Sequence, residues 1–546
     1  MTGLRAALLL LIGAPVSLGA MLTTLAAFGW QPGVGGHVSQ AGFAQALAVP
    51  GIATSLWLTL ATGVGATLIA LALSVPVSGW LIGRDWAARG LAPLLAVPHA
   101  ALALGVAFLL APSGWIARLI AVPMGWSMPP AWPLPGDPWG AALILGLVLK
   151  ELPFLLLVTL AAAATRDVAA DMAVGRSLGY APGRVWARLI WPQLYPALRL
   201  PLFITLSFAL SVVDMALILG PSHPPTLAVQ ILRLLMAPDL ALRVPASALA
   251  LILLGLIGGV VMLWIGTERA VAALGRRAIR AGRRGRAGPP LAPGIAALGA
   301  GLPVLALAGL ALWSVAGRWS FPQLWPATLS LTRWARVDWG VGATTLGLGV
   351  TVTVLALMLA VAVLETEDRA RRRLGLGVLI VLPLLLPQIG FLQGLTSGFL
   401  VLGLPPGPLA VIWAEGLFVF PYVLLALAGP WRALDPAQLQ AAASLGAGPW
   451  RILWRIRLPL MVRPLMSAAA IGFAVSVAQY LAVLLPGAGR VAVLATEAVT
   501  LSSGADRRLA AVYGLLLAAL PLLGFAAALS VPDWRGRDQR RAGDGA

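Results

Sequence analysis

Two short stretches carry the most chemically legible pattern in the chain, "SLGYAPGRVWARLIWP" at Ser177 to Pro192 and "SLGAGPWRILWRIRLP" at Ser444 to Pro459. In each, a glycine (Gly179, Gly446) is followed three residues later by a proline (Pro182, Pro449). Arginines stand five and nine residues after the glycine, Arg184 with Arg188 and Arg451 with Arg455, and a second proline closes the stretch at Pro192 and Pro459. Glycine can end a helix in a left-handed cap, and proline suits the first turn of the next helix. Arginines four apart share a helix face. The pattern predicts a helix, a break and a short basic helix that the closing proline stops. Its chemistry is grip, not bond making. Amphipathic helices with arginines also anchor to lipid headgroups, but two copies with matching punctuation favour docking onto a protein.

A second set of residues could do chemistry because of where it lies. Lys150, Glu151, Asp214, Glu415 and Gln479 fall inside long apolar runs, where ionisable or strongly polar groups mark solute or ion paths. Lys150 and Glu151 are adjacent, so on a helix they point about 100° apart and do not simply pair. Aligning "FALSVVD" (208–214) with "FAVSVAQ" (473–479) puts Gln479 opposite Asp214. The structural alternative is that these groups hydrogen-bond between helices and only position them.

Catalytic chemistry finds no residues to carry it. There is no cysteine, and the three histidines (His37, His99, His223) are scattered, which leaves no metal-ligand cluster. No His-Glu-x-x-His or nucleophile motif occurs. The one lysine, Lys150, follows Leu149 and not glycine, so the chain has no P-loop for ATP.

The elements that must position these residues follow from composition. The 546 residues are 60% hydrophobic and 10% charged, and mean hydropathy is +0.92. That points to an all-α polytopic membrane protein. Twelve segments are long and apolar enough to span, at 6–29, 54–80, 91–111, 140–163, 198–220, 245–266, 294–315, 341–364, 375–400, 408–429, 464–486 and 508–531. The first reads as an uncleaved span, with Trp30 at its end. The formal charge of +19 would suit nucleic acid, but the arginines concentrate in every second short loop between the apolar runs. The positive-inside rule then places both termini in the cytoplasm. Outer loops are rich in Trp, Pro and Gly, above all "GWSMPPAWPLPGDPWG" in the segment 112–140, which suits either a docking partner or interface packing.

The two basic stretches lie 267 residues apart, each flanked by six spans, so the chain reads as a tandem repeat. The first unit is 1–268 with its loop at 166–197, and the second is 294–532 with its loop at 430–463. Between them runs the basic segment 269–293, read as a solvated linker, and 533–546 forms a cytoplasmic tail.

At these stretches the chain resembles the permease subunits of ABC importers. Their signature loop reads Glu-Ala-Ala, three residues, Gly, nine residues, Ile, one residue, Leu-Pro. The second copy meets it with "QAAASLG" (440–446), Ile456, Leu458 and Pro459; the first has "AVGRSLG" (173–179), Leu189, Trp191 and Pro192. Both depart at the acidic position, where Gln440 and Ala173 replace glutamate. Two fused units in one chain are similar to the thiamine and iron(III) branch, and the segments 208–230 and 473–499 to a subgroup labelled thiamine-type.

The resemblance implies two six-helix type I importer units in a bacterial inner membrane. It implies two copies of an ABC ATPase subunit, which would hold the ATP and magnesium, each gripping one coupling helix. It further implies a periplasmic binding protein that delivers the solute, whether thiamine or a related compound, iron(III) or an oxyanion. No cofactor and no nucleic acid is expected on this chain itself. The rival is a twelve-span secondary transporter, whose halves also repeat in parallel. Its characteristic motif falls between spans two and three, where this chain has only "GRDWAARG" (83–90).

Overall fold

A computed structural model describes residues 2–530 other than 33–34, 281–290, 374, 376 and 505. Residues 281–290 of the central basic segment and the whole expected tail at 533–546 lie outside the described residues. Among the described residues the chain is helical, with two isolated bridges and no strand. Among the described residues ten helices are long and apolar enough to cross a membrane, and two sharply bent pairs, each taken as one span, bring the number to twelve.

Six helices hold the span positions of the first half: α1 (Ala14–Ala27), α2 (Ile52–Leu81), α3 (His99–Leu110), α4 (Ala141–Ala163), α5 (Trp191–Ser211) and α6 (Arg243–Arg280). The second half repeats the order with α7 (Ala292–Val315), α8 (Trp339–Ala370), α9 (Gln388–Val401), α10 (Pro408–Arg432), α11 (Val462–Val477) and α12 (Arg507–Ser530). Shorter helices also recur. Leu227–Met236 and Leu494–Ser502 each follow the fifth span position, and each is pinned the same way. The Leu227 amide donates to Thr59 Oγ1 at 2.8 Å on α2, and the Leu494 amide to Thr345 Oγ1 at 2.9 Å on α8.

The halves interlock. α1 packs against α9 of the second half, and α7 packs against α3 of the first. Small residues allow the close approach, as expected where helices associate in lipid by backbone contact. A Cβ on Gly394 would meet the Gly19 carbonyl oxygen at 2.0 Å, and one on Gly105 would meet the Ala306 oxygen at 2.6 Å.

Four expected spans are not single helices. The run at 91–111 breaks at Val97 and Pro98 between a helix at Trp86–Ala96 and α3. The run at 375–400 bends by 114° between Leu379–Leu385 and α9. Pro98 and Pro387 stand at these breaks, where a residue without N–H and with a fixed φ cannot continue the ladder. The runs at 198–220 and 464–486 end at Ser211 and Val477 and restart as short helices, Asp214–Leu219 and Leu481–Gly487. α6, expected at 245–266, runs for 38 residues. At 1.5 Å per residue that is about 57 Å, far beyond the ~30 Å of a hydrocarbon core.

The outer segment 112–140 is partly a helix, Trp115–Met124, that packs on the second half. Arg118 donates to Ser113 O at 2.8 Å, and its Nη1 to Ser320 O at 2.8 Å and Gln323 O at 2.6 Å. Its guanidinium lies 4.6 Å from the Trp319 ring centre.

Candidate functional site

Each basic stretch begins with a helix that an aspartate caps. Asp167 accepts from the Ala170 amide at 3.0 Å ahead of Val168–Ser177, and Asp435 from the Ala437 amide at 2.9 Å ahead of Pro436–Ser444. Both helices end in the same motif. Gly179 has φ +84° and Gly446 φ +81°, a region costly for residues with a Cβ. The amide of Gly179 returns to Arg176 O and that of Tyr180 to Gly175 O; Gly446 and Ala447 return likewise to Ala443 O and Ala442 O. This is the Schellman pattern, in which a left-handed residue lets the last carbonyls find donors. A new helix then starts at Pro182 and at Pro449, with each proline in the first turn.

Past that point the geometry departs from expectation. Each short helix widens into a π-turn, Trp186–Ile190 and Leu453–Arg457. Pro192 does not stop its helix. The first copy runs unbroken from Pro182 to Ser211, because the wide turn re-phases the ladder just before the residue that has no N–H. In the second copy the stop comes later than Pro459, at Met461, where the axis bends by 75°. Pro464 withholds the N–H that would reach Leu460, and its ring crowds that carbonyl.

Surface chemistry also differs between copies. Arg451 and Arg455 are exposed, whereas Arg184 and Arg188 are half-buried. Exposed apolar groups that the arginine pattern does not reveal crown both segments. Leu445, just before Gly446, is 87% exposed, and Trp450 and Trp454 are 66% and 64% exposed. Leu178, just before Gly179, is also exposed. The repeated Ser-Leu-Gly was the available signal, since a leucine in a capped turn has no core to enter.

The in-span polar residues largely converge. A cavity of about 770 Å³ between the halves is lined by Lys150, Glu151, Asp214 and Gln479 together with His99, Tyr422 and Tyr480. Glu415 is not among its lining residues. It is buried, and its carboxylate accepts a hydrogen bond from Ser476, which ties α10 to α11. Gln479 is not the structural counterpart of Asp214. Asp214 opens a short helix, as Leu481 does, while Gln479 lies within the break before Leu481, which is one residue longer than the break at Val212 and Val213.

All four helix breaks border this cavity, at Val97 and Pro98, Val212 and Val213, Leu386, and Ala478 to Tyr480. Breaks expose main-chain groups that need partners in an apolar interior. Lys150 serves the first, donating to Leu95 O at 2.8 Å, Val97 O at 2.5 Å and Leu94 O at 3.4 Å. A cation on these terminal carbonyls also meets the negative end of the helix dipole. The 385 carbonyl is served across the halves, by Ser207 Oγ at 2.7 Å. The adjacent Glu151 is different. Both carboxyl oxygens are buried without a hydrogen-bond partner, and Thr67, the hydroxyl facing it, gives its proton to Gly63 O at 2.9 Å. Along α4 and α10 the lining runs from Lys150 to Leu157 and from Phe418 to Ala426, toward the ends that lead into the two basic stretches. The cavity therefore occupies the half of the bundle nearest those segments.

Comparison with known proteins gives consistent results. The family of binding-protein-dependent transport system inner membrane components matches residues 342–531. The inner membrane ABC transporter permease protein YnjC of Escherichia coli (strain K12) is 32% identical over 504 residues, 91% of each chain. Shorter likenesses link the chain to molybdenum transport system permease proteins ModB. That of Azotobacter vinelandii is 31% identical over 121 residues, 20% of this chain and 54% of the relative. That of Mycobacterium tuberculosis (strain ATCC 25618 / H37Rv) is 32% identical over 166 residues, 27% and 63% of the two chains.

Proposed function

This chain belongs to the family of ABC inner-membrane permeases for binding-protein-dependent transport, and from that premise we propose that it is a fused permease that supplies both halves of one importer pathway. It is a transport subunit and not itself a catalyst. Two ATPase subunits, which carry the ATP and magnesium, would grip the segments around Gly179 and Gly446 from the cytoplasm, where both termini also lie. Closure of the ATPase pair would draw the segments together, close the cavity on their side and open it to a periplasmic binding protein. That is a rigid-body transition between two packed states, biased by nucleotide. One observation supports the reading: the central cavity lies in the half of the bundle nearest the two repeated segments. Cysteine cross-linkers placed at Trp450 or Trp454 should capture an ATPase subunit in intact cells. Recovery of lipid adducts alone would return these segments to a membrane-anchoring role.

The cavity chemistry favours a small organic cation of the thiamine kind. The chain holds 38 lysines and arginines, yet among the described residues Lys150 alone of them lines the cavity, and its protons go to main-chain carbonyls. Two acidic side chains, Glu151 and Asp214, line the same cavity as the rings of Phe208, Phe418 and Tyr422. Aromatic faces with carboxyl groups suit cations. The likeness to molybdenum permeases supports an oxyanion as the second reading. A thermal-shift assay of the cognate binding protein against thiamine, ferric citrate and molybdate separates them, and a shift with molybdate alone would overturn the cation assignment.

A further inference from the structure

We infer that the two coupling segments drive different spans, and that Arg457 is the positioning residue responsible for the difference. The inference rests on the coupling role proposed above. In the first half the segment and α5 form one continuous helix from Pro182 to Ser211. The Trp186 indole seats this rod on α2, donating to Val75 O at 2.7 Å, in a slot where a Cβ on Gly79 would stand 2.5 Å from the ring. A push on that segment is a push on α5.

The second segment has no such continuity. It bends by 75° away from α11 at Met461. What holds it is a charge cluster at the ends of other spans, within which Arg457 itself is buried. Arg457 is 7% exposed and bridges Glu365 at 2.9 Å and Asp368, both on α8. Its guanidinium also lies 4.1 Å from the ring centre of Trp431 on α10, whose indole donates to Asp368 at 3.0 Å. Arg432 on α10 pairs with Glu367 on α8 at 3.1 Å, so the two spans end in one cluster. Such a buried pair holds a fixed geometry, because a charge left without its partner there is costly. The residue 267 positions earlier is Ile190, which can form none of these bonds. The second segment is thus hinged from the span that follows it and clamped to two earlier spans, α8 and α10.

The absence of cysteine from the chain makes spin labelling direct. Three pairs decide the matter in the full chain bound to its ATPase subunits, nucleotide-free and trapped with ATP and vanadate. They are Ala187 with Leu200 along the first rod, Trp454 with Ser467 across the hinge, and Trp454 with Arg372 across the clamp. The first pair, ~20 Å apart along one helix, should keep its distance, and so should the clamp pair. The hinge pair should shift by about one helical turn, ~5 Å. Arg457→Gln should broaden the clamp distribution and leave the first pair unchanged, with Arg457→Lys restoring part of the width. A fixed hinge distance with a moving clamp distance would overturn the inference and leave the coupling role standing. No change in any pair on trapping would remove the coupling role and this inference together.

Discussion

Lys150 donates to three main-chain oxygens, while the neighbouring Glu151 carboxyl has no hydrogen-bond partner, although both line the cavity. Sequence placed both at a functional depth but could not separate them, because a partner made of carbonyls at a helix break leaves no side-chain signature. The difference predicts opposite phenotypes. Lys150→Met strands the carbonyls at 94, 95 and 97, at ~1–3 kcal/mol for each buried acceptor left unmet. It should lower the melting temperature and the yield of folded protein. Glu151→Gln keeps the shape and should melt like the parent, yet slow uptake of the solute. A Glu151→Gln protein with unchanged uptake would take this side chain out of the pathway. A charge outside the spans gives a pH test. Burial pushes the Asp506 carboxyl up, but the hydrogen bond from Arg333 at 2.7 Å, the amides of Leu509 and Arg508 and the Arg333 charge together hold it below its ordinary value. A depressed carboxylate stabilises the fold above its unfolded value of ~3.9, and that share is lost as pH falls through the folded value. For so exposed a pair the share is under ~1 kcal/mol. Arg333→Ala should melt slightly earlier than the parent at pH 7, and the gap should close as pH falls through the folded value, as differential scanning would read.

The two basic segments show what local punctuation can and cannot reveal at the level of elements. Gly179 and Gly446 were legible because a left-handed cap has few alternatives, and both adopt it. The fate of the closing prolines was not legible. A proline reads as a stop, but a π-turn ahead of Pro192 lets the helix continue, and a π-turn ahead of Pro459 likewise carries the second copy to Leu460. The broken spans were hidden for a related reason, since an apolar run looks the same whether its helix is straight or bent by 114°. Pro98 and Pro387 were the available cues. No atom lies within 4 Å of a Cβ built on Gly446, so a substitution there acts through backbone conformation alone. Gly446→Val should cost ~1–2 kcal/mol at the cap, too little to unfold the bundle but enough to displace Leu445 and Trp450. The variant should reach the membrane at normal levels, retain less ATPase on purification and transport more slowly. Gly446→Ala should fall between the two.

At the scale of the molecule, the repeat was readable as an offset of 267 residues, but its consequence for assembly was not. Two six-helix units drawn from sequence could stand side by side, each closed on itself. Instead α1 lies in the second half and α7 in the first, with backbones close enough that Gly19 and Gly394 leave no room for a side chain. Each half therefore completes the other, and the covalent link between them should be dispensable once both are present. Cutting the chain between 281 and 290 and producing 1–280 and 291–546 together should yield a complex that purifies as one species. Either piece alone should be degraded, because the face of α3 or α9 that awaits its partner would meet lipid with the wrong shape. Gly394→Leu tests the same contact without a cut. A side chain there must push the Gly19 carbonyl away, so co-purification of the two pieces should be lost, while the equally bulky Gly255→Leu, where a Cβ meets nothing within 4 Å, should leave it intact. Stable, monodisperse halves obtained separately would show that the interlock is not what holds the molecule together.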